Sequence, residues 1–221
     1  MEAASNKRTL GHVAIVNRSF WPIYPVLGDA LLYLAEQLKC SGYEVSLLVQ
    51  SHVDLEAELV SKGRGLGIGC LWFKAFTTSS SSIGVRLIEG IFFSGWVFFS
   101  LWRQRPDRVY VSTDPPIIVP FLCMIYCQLT KARLIYHVQD IHPEATRNVI
   151  TLPSILFRFL QWLDSLTIKF ASTLITLNIE MKKVILSRSG YKAPIICLEN
   201  PGCEAQWSQR GHNRSLDVTF C

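Results

Sequence analysis

The sequence predicts an α/β domain: a Rossmann-like parallel sheet with helices on both faces. Three observations carry that prediction. Short apolar, β-branched runs alternate with amphipathic helical stretches along most of the chain. The runs are apolar at nearly every position, as strands covered on both faces require. The first of them enters a strand–loop–helix–strand unit typical of doubly wound folds.

That first strand is His12–Asn17. The loop RSFWPIYPVLGD follows, and Gly28 is expected to open a helix with Leu31, Leu34, Ala35 and Leu38 on one stripe, ended by Gly42. Glu44–Gln50 is the second strand. Val53–Lys62 reads as a short helix, and Gly63, Gly65, Gly67 and Gly69 precede a strand over Cys70–Phe76. That glycine run precedes a strand instead of following one, so it is no dinucleotide fingerprint. Thr77–Ser82 is a Ser/Thr-rich loop. A long helix covers Ile83–Gln104, then come the strand Arg108–Ser112, the turn Thr113-Asp114-Pro115-Pro116 and a helix to about Leu129. Leu134–Val138 is a strand. Pro153–Ala171 is a helix with Leu156, Phe159, Leu160 and Leu163 on one face. Ser172–Leu177, Glu180–Ser189 and Ala193–Leu198 complete the pattern as strand, helix and strand. Residues 1–198 thus form one domain. Residues 199–221 read as a polar linker followed by a lone strand, Leu216–Phe220, expected to begin a second domain that is cut short.

Composition narrows the function. Of 221 residues, 49% are hydrophobic and 18% charged, which excludes a disordered chain. The net charge of +5 suits an anionic membrane surface or a phosphorylated ligand. No basic block interleaved with aromatics points to nucleic acid. The seven cysteines are odd in number, lie mostly in apolar runs and form no Cys-x-x-Cys pair, so reduced, buried thiols are expected. The N-terminus lacks the apolar core of a signal peptide, so a cytoplasmic chain is expected. Ile91–Trp102 and Pro115–Leu129 are apolar but shorter than the roughly 20 residues of a spanning helix, so buried helices of the α/β core are expected. The first, ending near Arg103 and Arg105, can lie in a membrane interface with its aromatics among headgroups and its arginines on phosphates.

Chemistry is expected after the strand Leu134–Val138, because open α/β sheets bind ligands at the carboxyl ends of their strands. His137, Asp140, His142 and Glu144 cluster there. Their spacing fits no standard metal motif, so no metal is assigned. Two readings of Gly28 stay open. It either offers a helix N-terminus to a phosphate or merely starts the helix without a clash. Asp114 is either a ligand contact or ordinary turn chemistry.

RPDRVYVSTDPP, RLIYHVQDIHPEA, ASTLITLNIEMKKVIL and IICLENPG, in that order, resemble the N-terminal domain of family 4 glycosyltransferases, and within it the bacterial O-antigen and exopolysaccharide enzymes of the L-fucosamine type. The resemblance spans Val13 to about Gly202. It implies half of a two-domain GT-B fold and a retaining transfer of sugar from a nucleotide-sugar donor to a lipid-linked saccharide acceptor, in cell-surface polysaccharide synthesis. It also implies that the nucleotide sugar is a substrate, with no cofactor; peripheral attachment to the inner face of the membrane is expected from Ile91–Arg105 and the net charge of +5. His137 would reach into the cleft and bond the donor sugar. Gly28, Asp140 and Glu144 would border acceptor and diphosphate, and Asn200 would mark the domain crossover. The family's paired glycines are Leu27-Gly28 in this chain. Its Arg/Lys pair and Glu-x7-Glu motif would fall beyond Cys221, so the expectation is an acceptor-side half, inactive alone. The alternatives are a membrane-associated subunit completed by a separate donor-binding chain, and a non-catalytic Rossmann-like binding module.

Overall fold

The computed structural model describes residues 9–78, 80–143 and 153–198. Glu144, Asn200 and Leu216–Phe220 lie outside these residues. Seven strands form one sheet: β1 (His12–Val16), β2 (Glu44–Ser51), β3 (Gly69–Lys74), β4 (Arg108–Ser112), β5 (Arg133–Val138), β6 (Thr173–Thr176) and β7 (Ile195–Cys197). Their order is β3-β2-β1-β4-β5-β6-β7, and every neighbouring pair is parallel. The helices are α1 (Pro25–Cys40), α2 (Leu55–Ser61), α3 (Ile83–Gln104), α4 (Ile118–Thr130), α5 (Ser154–Phe170) and α6 (Ile179–Ser189).

The order follows from right-handed crossovers. The chain steps from β1 outward to β2 and β3, placing α1 and α2 on one face. There Val13, Ile15, Leu47 and Val49 pack with Leu31, Leu32 and Leu55. It then crosses back to β4 and steps the other way, placing the remaining helices on the opposite face. There Ala14, Val16, Val111 and Tyr136 meet Phe93, Val97 and Leu101 of α3 and Cys123 of α4. β1 is buried at every position. Along β4, β5 and β6 burial alternates instead, leaving Tyr110, Ile135 and Ile175 half-buried on one face.

Two helix details differ from the sequence reading. α1 begins at Pro25, a residue whose fixed φ suits a first helical turn. Gly28 is therefore the fourth residue of α1. In α5 the expected stripe is mostly outside: Leu156 and Phe159 are exposed and only Leu163 of that set is buried. The inward stripe is Leu163, Asp164, Thr167 and Ile168. Its polar members are satisfied, Asp164 by Tyr136 and Arg188, and Thr167 by the Leu163 carbonyl. The five described cysteines are free thiols, with Cys123 and Cys127 buried and Cys40 exposed.

α3 divides sharply. Phe93, Val97 and Leu101 are fully buried, whereas Ile88, Phe92, Phe99 and Trp102, spaced along one face, are exposed, Phe99 by 68%. The helix is long and apolar enough to cross a membrane, yet a third of its apolar stretch is buried in the fold.

Candidate active-site cleft

β1 and β4 are sheet neighbours, although β2 and β3 come between them in sequence. At such a switch point the loops leaving the strands diverge and open a crevice. A cleft of about 670 Å³ lies there. Its walls come from the ends of β1, β2, β3 and β4 and from the first turns of α3, and they include Arg18, Trp21, Tyr24, Arg86, Glu89 and Asp114.

Glu89 organises the floor. It is the sole carboxylate of α3 and is only 1% exposed. Its Oε2 accepts from Arg18 Nη2 at 2.7 Å and from the Thr77 hydroxyl at 2.5 Å, and its Oε1 accepts from the Phe76 and Thr77 amides at 2.7 and 2.9 Å. Burial alone would raise its pKa. The Thr77 hydroxyl, the two amides and Gln50 outweigh burial and hold it at about 2. Arg18 Nε also donates to Gln50 Oε1 at 2.6 Å. One cation is thereby fixed in the cleft by residues of β2 and α3.

Asp114 holds the other wall. Its Oδ2 accepts from the Ser19 amide at 2.8 Å, and its carbonyl accepts from the Arg18 amide at 2.8 Å. The turn after β4 thus positions the loop after β1. Trp21 of that loop is buried, donates from Nε1 to the Pro25 carbonyl at 3.1 Å, and carries Lys62 Nζ 4.1 Å from its ring centroid. Gly28 packs beneath it. A Cβ there would stand 2.6 Å from Trp21 Cδ1. The Gly28 amide donates to the Tyr24 carbonyl at 2.9 Å, so it has no proton to offer a phosphate. The glycine serves packing, and the loop it packs lines the cleft.

His137 occupies the next-to-last position of β5, opposite Ser112 of β4. It is 6% exposed and is not among the residues lining this cavity. Its Nδ1 is 2.6 Å from Tyr110 Oη, and its Nε2 is buried without a partner. Burial lowers its pKa to about 4, so the ring is neutral near pH 7. The loop beyond it is tied to the β4 turn, because the Thr113 hydroxyl accepts from the Gln139 and Asp140 amides at 3.2 and 3.3 Å. Asp140 is exposed on this loop. The His142 carbonyl accepts from Arg188 Nη1 at 2.8 Å, and Arg188 pairs with the buried Asp164, which also accepts from the Tyr136 hydroxyl at 2.9 Å. The histidine cluster of the sequence therefore sits beside the cleft, on a loop braced from two sides. Among the described residues no three His, Cys, Asp or Glu side chains group as metal ligands.

No protein-family profile and no curated sequence matches the chain. Solved structures do. LpCGTa, in complex with UDP, superposes with a TM-score of 0.52 at 13% identity, over 86% of this chain and 53% of that one. A UDP-glucosyltransferase from Polygonum tinctorium gives 0.50 at 9%, over 86% and 52%. UGT89C1 of Arabidopsis thaliana, complexed with UDP, gives 0.50 at 12%, over 87% and 50%. The chain has the fold of one half of a GT-B protein. It spans about half the length of each of these GT-B structures. At such identities the likeness is one of fold, and GT-B activity has to be argued from the cleft.

Proposed function

We propose that this chain is the acceptor-side half of a retaining nucleotide-sugar glycosyltransferase acting on a lipid-linked saccharide in cell-surface polysaccharide synthesis. The observation that carries this reading is the cleft at the switch point. It combines Arg18 and Arg86 for an anionic phosphate, the Asp114 carboxylate for sugar hydroxyls, and Trp21 and Tyr24 as apolar walls. Retention and the polysaccharide branch rest on the sequence resemblance. In this reading a second Rossmann-like body, in the same polypeptide or a separate chain, binds the nucleotide sugar and stabilises the leaving diphosphate with cationic groups. His137 acts as a positioning residue behind the cleft wall, keeping Tyr110 and the end of β5 in place.

α3 supports attachment to the inner membrane surface. Its buried face cannot leave the core without exposing Phe93, Val97, Leu101 and the Glu89 pair, so the helix lies on the membrane and does not cross it. The proposal is tested by assaying transfer from UDP-, GDP- and dTDP-sugars to polyprenyl-diphosphate-linked saccharides, with this 221-residue chain alone and with a GT-B donor-binding domain fused after Val218. Transfer by the fusion and none by the chain alone is expected. Robust transfer by the chain alone would refute the half-site reading.

A further inference from the structure

We propose that a second cavity, at the end of the sheet opposite the cleft, holds the phosphate headgroup of an anionic membrane lipid. The cavity has a volume of about 790 Å³ and lies where β4 and β5 begin and α3 and α4 end. Among the described residues four cations line it, Arg105, Arg108, Lys131 and Arg133, against one carboxylate, Asp107. The Asp107 carboxylate accepts from the His12 amide at 2.8 Å. The C-termini of α3 and α4 add about half a negative charge each. About two positive charges remain uncompensated, which matches a phosphate monoester or diester.

The helix ends offer a second, independent sign. α3 and α4 both close on a residue in the left-handed conformation, Arg105 at φ 50° and Lys131 at φ 63°. Glycine is the residue such a position favours, and α6 closes on Gly190 at the same φ of 63°. At the two helices that end on the cavity, a cation stands in that position instead.

The occupant is a lipid because of what adjoins the cations. Trp102 lines the cavity, with its ring 6.4 Å from Tyr126 at 79°, and it is also the last member of the exposed stripe Ile88, Phe92, Phe99 and Trp102. A phosphate held by Arg105, Lys131 and Arg133 leaves its acyl chains against that stripe. α3, about 33 Å long at 1.5 Å per residue, then meets the bilayer along its length, with the basic cavity at one end and Arg86 of the cleft near the other. This inference rests on the membrane part of the proposed function and names the lipid chemistry met there.

The test is flotation of the full chain with vesicles of phosphatidylcholine alone and with one-third phosphatidylglycerol. The variant Arg105→Gln/Lys131→Gln/Arg133→Gln should lose about tenfold or more of its partitioning onto the anionic vesicles, on the usual scale for basic residues at such a surface. A control that removes the same charge elsewhere, Lys74→Gln/Lys183→Gln/Lys192→Gln, should lose no more than about threefold. Arg105→Lys/Arg133→Lys should bind as the unaltered chain does, and thermal unfolding should confirm that each variant is folded. Equal losses in the two neutralised variants would overturn the site in favour of diffuse surface charge, with the membrane reading intact. Binding of inorganic phosphate that the cavity variant abolishes, without preference for anionic vesicles, would overturn the lipid as its source. Failure of the unaltered chain to bind either vesicle would remove both this site and the membrane reading, and would leave the acceptor cleft standing.

Discussion

Glu89 of α3 and Arg18, the second residue after β1, form an ion pair at 2.7 Å across 71 positions of sequence. The pair joins the helix with the exposed apolar stripe to the loop that builds the cleft. Glu89 also accepts the Phe76 and Thr77 amides, so three segments meet on one carboxylate.

Glu89→Ala should therefore destabilise the fold by about 1–3 kcal/mol, the usual cost of leaving buried donors unsatisfied, while Arg18, whose side chain is 26% exposed, turns to water. The two amides lose their acceptor as well. Glu89→Gln retains one acceptor oxygen and should cost less. Urea denaturation of the three proteins measures this. A loss below about 1 kcal/mol for Glu89→Ala would show that the pair contributes nothing to the cleft's architecture.

Gly28→Ala reverses the usual sign of such a change. In a helix interior alanine is ordinarily favoured over glycine by about 1 kcal/mol. In this chain the added Cβ would stand 2.6 Å from Trp21 Cδ1 and 3.1 Å from the Trp21 backbone nitrogen. Overpacking of that kind typically costs about 1–3 kcal/mol. A lower denaturation midpoint with an unchanged slope is expected, and a higher midpoint would contradict the packing role.

Acid should weaken the protein in two steps. His137 has its pKa lowered by burial to about 4, against 6.5 when exposed. As pH falls from about 6.5 to 4 the unfolded chain takes up a proton that the folded chain does not, so stability falls, by at most about 1.4 kcal/mol per pH unit. Glu89, held at about 2 against 4.5, contributes stability above about 4.5 that is lost as pH falls from there toward 2. His137→Gln should flatten the upper step and leave the lower one. An unchanged slope between pH 6.5 and 4 in that variant would mean that His137 is not the group responsible.

Washing of bacterial membranes carrying the chain should release it with either carbonate or high salt, since α3 keeps Phe93, Val97 and Leu101 in the core. Retention after both treatments would show a spanning helix.

The sequence made the strands and the bounds of α3 legible, because apolar periodicity reports burial directly. It misled where burial is polar. The inward face of α5 carries Asp164 and Thr167, whose partners come from β5, α6 and the helix's own backbone, so the apolar residues of that helix point elsewhere. His137 drew attention as a histidine at a strand end, and its partner across the sheet, Tyr110, was not foreseen. Arg18 and Glu89 were the residues missed. Their signal was present: one carboxylate in a 22-residue apolar helix has to find a partner. Which partner it finds depends on a crossover that spacing alone does not reveal.

In the proposed function this half holds the acceptor. The most direct measurement is a pair of titrations of the chain, one with a short-chain prenyl-diphosphate-linked saccharide and one with UDP. The saccharide should bind at least about tenfold tighter than UDP, and Arg18→Gln and Arg86→Gln should each weaken it by about tenfold, as expected for a lost charge-assisted contact to phosphate. Tighter binding of UDP, weakened by those same substitutions, would make this the donor half and contradict the account.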